Sequence, residues 1–99
     1  MTTALTGITV VEGDVCDAAL LKKLLTSNGI DHVLHLAAQA GVRYSIKNPL
    51  AYVEANVRCF TVLLDSMRQY DTRVPLVFAS SSSVYGLNTK VCVGLHFGV

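Results

Sequence analysis

Apolar residues along the chain switch repeatedly between two periodicities, and that alternation constrains the fold more than any other feature. Residues 8–11, 32–36 and 76–79 are short apolar runs, set off by Gly7, Asp31 and Pro75. Short unbroken runs bounded by turn residues are the pattern of strands buried on both faces of a parallel sheet. The stretches between them repeat apolar residues every three or four positions, the period of a helix. The order strand, helix, strand, helix, strand predicts an α/β fold with an incomplete Rossmann-type, doubly wound parallel sheet.

The helix boundaries carry their own chemistry. Asp17 stands where a side chain can cap the first helix, followed by Ala18, Leu20, Leu21, Leu24 and Leu25. Asn28 and Gly29 end it, because glycine tolerates the left-handed conformation found there. The second helix is predicted from Asn48 as cap, with Pro49 in the first turn. Its expected buried stripe is Val53, Val57, Phe60, Leu64 and Met67, with Arg68 complementing the dipole near its end.

Charged residues are 15% of the chain and hydrophobic residues 52%. Soluble domains average about 25% charged, so little remains here for a polar exterior. The eight Lys and Arg are scattered and the net charge is +1, which argues against nucleic acid as a partner. No apolar run reaches the roughly 20 residues of a membrane span, and the first residues carry no basic start. These features lead to an expectation of a cytoplasmic chain without a signal peptide. Cys16, Cys59 and Cys92 form no Cys-x-x-Cys pair, so buried free thiols are expected rather than a disulfide framework or a metal site. His32 and His35 are three apart on a strand and face opposite ways, so they are not a metal pair.

Ligands of open α/β sheets sit beyond the carboxyl ends of the strands. Three loops lie there. The first is Gly13-Asp14-Val15, the second Leu36-Ala37-Ala38-Gln39-Ala40-Gly41-Val42-Arg43-Tyr44-Ser45, and the third Ser80-Ser81-Ser82-Ser83-Val84-Tyr85-Gly86. Small residues let a backbone approach a ligand closely. Asn56 is a polar residue within an apolar helix and needs a hydrogen-bonding partner.

With these motifs in this order, residues 7–90 resemble the extended short-chain dehydrogenase/reductase family, in its NAD-dependent epimerase/dehydratase branch. The runs 36–45 and 79–90 are most similar to UDP-glucuronate 4-epimerases. The resemblance implies a partial NAD(P)-binding Rossmann domain over 7–90 and a divergent tail over 91–99. It implies NAD as cofactor and a UDP-sugar as substrate. In that family C4 of the sugar is oxidised, the 4-keto intermediate rotates, and the hydride returns to the other face.

Residue by residue, the resemblance implies that Asp14 accepts a hydrogen bond from the adenine amino group, with the Val15 backbone beside it. Leu36, Ala37, Ala38 and Ala40 line the dinucleotide, and Asn56 contacts it or holds a water. Ser81 corresponds to the residue that hydrogen-bonds the sugar hydroxyl being oxidised, flanked by Ser80 on the cofactor side and Ser82 on the substrate side. Family dehydratases carry an acidic pair where Ser82 and Ser83 stand, so the resemblance is to an epimerase. Arg43 and Ser45 correspond to a substrate-binding loop, where a guanidinium fork suits a sugar carboxylate or a diphosphate.

Two elements of the family pattern are missing from these residues. No tyrosine is followed four residues later by lysine, the pair that removes the hydroxyl proton. No glycine-rich diphosphate loop occurs either. The expectation is a fragment inactive alone, with weak NAD binding. Alternatives are a non-catalytic product that associates with an intact homologue, and an epimerase of another UDP-sugar. In the strand order 3-2-1-4-5-6, residues 8–11, 32–36 and 76–79 would be the third, fourth and fifth strands. The sheet must then have a gap, or the 8–11 strand must find a different neighbour.

Overall fold

A computed structural model describes residues 2–5 and 7–87. The expected tail over 91–99, with Cys92, and the last three residues of the expected 7–90 domain lie outside them. The chain begins with a hairpin. Strand β1, Thr2–Leu5, pairs antiparallel with β2, Ile8–Val11. Gly7 makes the turn at φ 75°, a left-handed conformation that favours glycine. β2 lies where the sequence predicts it, but its partner is β1 rather than a strand of the parallel sheet. Strand 2–5 was not anticipated, since its Thr-rich run carries no apolar alternation.

Helix α1, Ala18–Ser27, starts on Asp17, whose Oδ1 accepts from the Leu20 amide at 3.1 Å. It stops at Asn28, with Gly29 following at φ 57°. Strand β3, Val33–His35, and strand β4, Leu76–Phe78, form the parallel pair, in register Val33↔Leu76, Leu34↔Val77 and His35↔Phe78. Helix α2, Val42–Lys47, is a short turn in a segment expected to be loop.

The long helix divides in three. Helix α3, Pro49–Val53, is capped by Asn48, whose Oδ1 accepts from the Ala51 amide at 3.4 Å. A π-helical turn follows at Glu54–Arg58, and helix α4, Cys59–Tyr70, completes the run. The Cys59 amide donates to the Glu54 carbonyl, a bond one residue longer than the α-helical one. That extra residue rotates everything after it.

The expected apolar stripe is only partly the buried one. Cys59, Leu63 and Met67 are buried, and Phe60 is half-buried. Val53, Val57 and Leu64 are exposed, at 55%, 59% and 42%. Phe60 packs on both strands, with its ring 5.2 Å from His35 and 5.2 Å from Phe78. The sheet it covers is two strands wide, and the exposed members of the stripe extend past it.

The core is small. Leu25, Leu63 and Met67 form its centre, with Val15, Leu21, Ile30, Val33, Tyr70, Val74 and Leu76 around them. Inward residues of β3 and β4 alternate with outward ones. Leu34 and Val77, paired across the ladder, are 66% and 63% exposed on the face opposite the helices.

The cysteine expectation is corrected. Cys16 and Cys59 are joined as a disulfide, with Cα atoms 4.4 Å apart. They are 43 positions apart in the sequence, so spacing gave no sign of the approach. The turn after β2 brings Cys16 onto the first residue of α4. His32 is exposed beside Asp31, and His35 stacks on Phe60.

Candidate cofactor and substrate cleft

The carboxyl ends of β3 and β4 open into a cleft of about 820 Å³. Small-molecule sites commonly measure roughly 300–1,000 Å³. One wall is the loop after β3, with Leu36, Ala37, Ala38 and Ala40. The opposite wall is the loop after β4, with Ser80 and Ser81. Ser45 and Asn56 also line it. Eight of the sequence-predicted site residues therefore meet in one cavity. Asp14, Val15, Arg43 and Ser82 do not line it.

The loop after β3 is held by two side chains one helical turn apart. Asn56 uses both ends of its amide on one residue: Oδ1 accepts from the Gln39 amide at 2.8 Å, and Nδ2 donates to the Gln39 carbonyl at 3.1 Å. Tyr52 Oη donates to the Ala40 carbonyl at 3.1 Å and also contacts the Gly41 carbonyl. Gly41 stands at φ 99°, which its missing Cβ permits, and from there the chain turns into α2. Tyr52 and Gln39 were not singled out from sequence. The spacing of Tyr52 and Asn56, four apart on a helix, was the available signal.

Ser81 caps the 3-10 turn Ser82–Tyr85. Its Oγ accepts from the Ser83 amide at 3.2 Å and lies 3.1 Å from the Ser83 hydroxyl. A serine hydroxyl rotates to suit its partner, so Ser81 can redirect its hydrogen to a ligand. Ser45 Oγ donates to the Val42 carbonyl at 2.5 Å, which fixes it within α2. Arg43 is exposed on α2 and, among the described residues, has no carboxylate partner.

Asp14 lies outside the cleft, beside Cys16 and Cys59. Its Oδ1 accepts from the Cys16 amide at 2.8 Å, and its carbonyl accepts from the Asp17 amide at 3.0 Å. Val15 faces the core. A Cβ at Gly13 would meet the tip of the Leu20 side chain, which would have to move aside. Asp14 and the two cysteines place ligand atoms within 4.8 Å of one another, but the sulfurs are bonded to each other and the Arg58 guanidinium donates to Cys16 Sγ at 3.3 Å. A fixed positive charge at that position disfavours a metal cation.

Shifted acid groups lie away from the cleft. Hydrogen bonds from Arg73 hold the Asp71 carboxyl below its ordinary range, and Arg68 does the same for Asp65. His32 lowers Asp31 likewise. Among the described residues no helix is long and apolar enough to cross a membrane.

Comparison with known proteins agrees with this arrangement. A family model described as GDP-mannose 4,6 dehydratase matches residues 2–93. UDP-glucuronate 4-epimerase 3 of Arabidopsis thaliana is 56% identical over 85 residues, covering 86% of this chain and 20% of the relative. The chain thus spans about a fifth of the length of the curated relatives it matches. UDP-glucose 4-epimerase from Bifidobacterium longum, solved in complex with NAD+ and UDP, superposes with a TM-score of 0.77 at 32% identity, over 87% of this chain and 25% of that one. The Brucella ovis UDP-glucose 4-epimerase, in complex with NAD, gives 0.78 at 33% identity, over 86% and 26%. On the family match, the identity and the shared Rossmann-type fold together, the chain belongs to the NAD-dependent epimerase/dehydratase branch of the extended short-chain dehydrogenase/reductases.

Proposed function

We propose that these residues supply part of the NAD site and the sugar-facing serine of a UDP-glucuronate 4-epimerase. One observation carries the reading: a loop of small residues, pinned by Tyr52 and Asn56, faces Ser80 and Ser81 across a single cleft at the ends of two parallel strands. The cleft fits a dinucleotide, because Ala37, Ala38 and Ala40 leave room for close approach and Asn56 keeps their backbone in place.

NAD, when bound, supplies the acceptor and donor of the hydride exchanged with C4. The chain's own residues bind and orient. Asp14 takes the adenine amino group at one end, with the Val15 backbone beside it. The Leu36–Ala40 backbone lies along the dinucleotide, with Ser80 opposite. Asn56 serves as the positioning residue of that loop, since Gln39 engages both its polar atoms. Ser81 hydrogen-bonds the sugar hydroxyl and keeps its oxygen in place while its proton leaves. By resemblance Ser82 adds a second hydroxyl for the sugar, although it starts the 3-10 turn beside the cleft rather than lining it. Ser45 and Arg43 lie on the uronate side, where the guanidinium complements a carboxylate or a diphosphate. Proton removal requires a base outside these residues, because no tyrosine here has a lysine four residues on. These residues alone are therefore inactive.

The choice of UDP-glucuronate rests on the Arabidopsis relatives, and two serines at 82–83 favour epimerisation over dehydration. The test is a segment exchange. Residues 7–87 replace the matching segment of UDP-glucuronate 4-epimerase 3 of Arabidopsis thaliana. The exchanged enzyme is expected to interconvert UDP-glucuronate and UDP-galacturonate within about tenfold of the original kcat/KM. A folded exchange product that acts on UDP-glucose but not UDP-glucuronate reassigns the substrate. One that acts on neither refutes the reading.

A further inference from the structure

We infer that Cys16 and Cys59 form a reversible dithiol–disulfide site that locks the Asp14 loop to the helix carrying Asn56. The link joins two parts of the proposed cofactor cradle. The Cys16 amide donates to Asp14 Oδ1 at 2.8 Å, so fixing Cys16 fixes the carboxylate. Cys59 follows the π turn that contains Asn56, and Asn56 holds the Gln39 backbone at the cleft. Closing the bond ties the loop after β2 to the same helical run that pins the loop after β3. The consequence for cofactor binding rests on the reading of Asp14 proposed above; the switch itself does not.

The two sulfurs differ in access. Cys59 is 8% exposed, whereas Cys16 is half-buried. An incoming thiolate therefore attacks Cys16 Sγ, and Cys59 Sγ leaves with the electron pair and takes up a proton. The second thiol of a dithiol reductant then displaces Cys16, which leaves as a thiolate and is protonated in turn. The reductant ends as its cyclic disulfide and the protein as a dithiol, so two electrons and two protons are transferred. Arg58 Nη1, 3.3 Å from Cys16 Sγ, supplies positive charge beside the thiolate as it forms, and Glu54 orients that guanidinium through a 2.5 Å ion pair. A disulfide sulfur carries no hydrogen, so the 3.7 Å approach of Glu54 Oε1 to Cys16 Sγ is a contact only in the oxidised form and becomes a hydrogen bond once the thiol is free.

The experiment uses the full chain and the chain carrying Cys92→Ser, with dithiothreitol as the dithiol. Non-reducing peptide mapping after air oxidation is expected to show a 16–59 cross-link in both, removed by dithiothreitol and restored on its withdrawal. Limited digestion with a protease that cuts before aspartate then compares two places. On reduction, cleavage at Asp14 and Asp17 relative to Asp65 is expected to rise on the order of tenfold, because the loop is released while α4 stays folded. A chain carrying both Cys16→Ser and Cys59→Ser should show the high ratio regardless of redox state. Absence of the 16–59 link, or a link to Cys92 instead, overturns the proposal. An unchanged cleavage ratio also overturns it, since the disulfide would then be a staple that affects the whole chain alike. Neither measurement uses NAD or a sugar nucleotide, so failure here is separate from failure of the epimerase reading.

Discussion

Replacing Leu63 by alanine tests which face of the long helix is buried. Leu63 is 5% exposed and sits at the centre of the core with Leu25 and Met67, whereas its neighbour Leu64 is 42% exposed. A buried Leu→Ala change costs about 2–5 kcal/mol, the transfer of the lost side chain plus the cavity left behind. With so few buried neighbours to close in, we expect about 3 kcal/mol for Leu63→Ala. Full burial of a leucine is worth about 1.5–3 kcal/mol, and Leu64 realises roughly half of that with no enclosed cavity, so Leu64→Ala should cost about 1 kcal/mol. The assay is urea unfolding of the oxidised chain, followed by circular dichroism and tyrosine fluorescence. At about 1.5 kcal/mol per molar urea, Leu63→Ala should lower the midpoint by about 2 M and Leu64→Ala by less than about 1 M. Equal shifts, or a larger one at Leu64, would refute the packing described here and restore the stripe drawn from periodicity alone.

Other outcomes follow from the same geometry. Asn56→Ala removes both hydrogen bonds to Gln39 and should destabilise the chain by about 1–2 kcal/mol, with faster hydrogen exchange at the Gln39 amide; unchanged exchange there contradicts the clamp. Asp71 should titrate below the ordinary carboxylate range and return to it in Arg73→Gln, as read by carbon-detected NMR. Because its folded pKa is lowered, the stability it adds is present above the unfolded value and lost as pH falls through the folded one; the pair lies at the surface, with Arg73 exposed, so solvent keeps that contribution small. The 99-residue chain alone should give no turnover of UDP-glucuronate, and calorimetry should detect weak NAD binding or none; micromolar affinity contradicts this. The exposed Leu34–Val77 face should drive concentration-dependent association in sedimentation experiments, and a strict monomer at high concentration contradicts that.

Features written in local chemistry were legible in the sequence. Asp17 and Asn48 as caps, Gly29 as a stop and the β3–β4 positions follow from residue type and spacing. The gathering of Ala37, Ala38, Asn56 and Ser81 in one cleft was legible from their places after strands and from family resemblance. Three features were not. The π turn at Glu54–Arg58 adds a residue that no apolar pattern marks, and with Leu63 and Leu64 both apolar the spacing fits either, so the choice of Leu63 as the buried one rests on tertiary packing. The Cys16–Cys59 bond joins residues brought together only by tertiary packing. The β1–β2 pairing arises because an edge with unpaired donors and acceptors takes whatever neighbour the chain offers.

The most direct test of the central reading is Ser81→Ala in the segment-exchanged epimerase. Steady-state turnover of UDP-glucuronate and NAD affinity are measured on the same preparation. If Ser81 holds the reacting sugar hydroxyl, kcat falls by about a hundredfold or more, while the NAD dissociation constant stays within about twofold. Turnover equal to that of the unsubstituted exchange would show that Ser81 only caps the 3-10 turn Ser82–Tyr85, and that the cleft's serine wall is not part of the catalytic site.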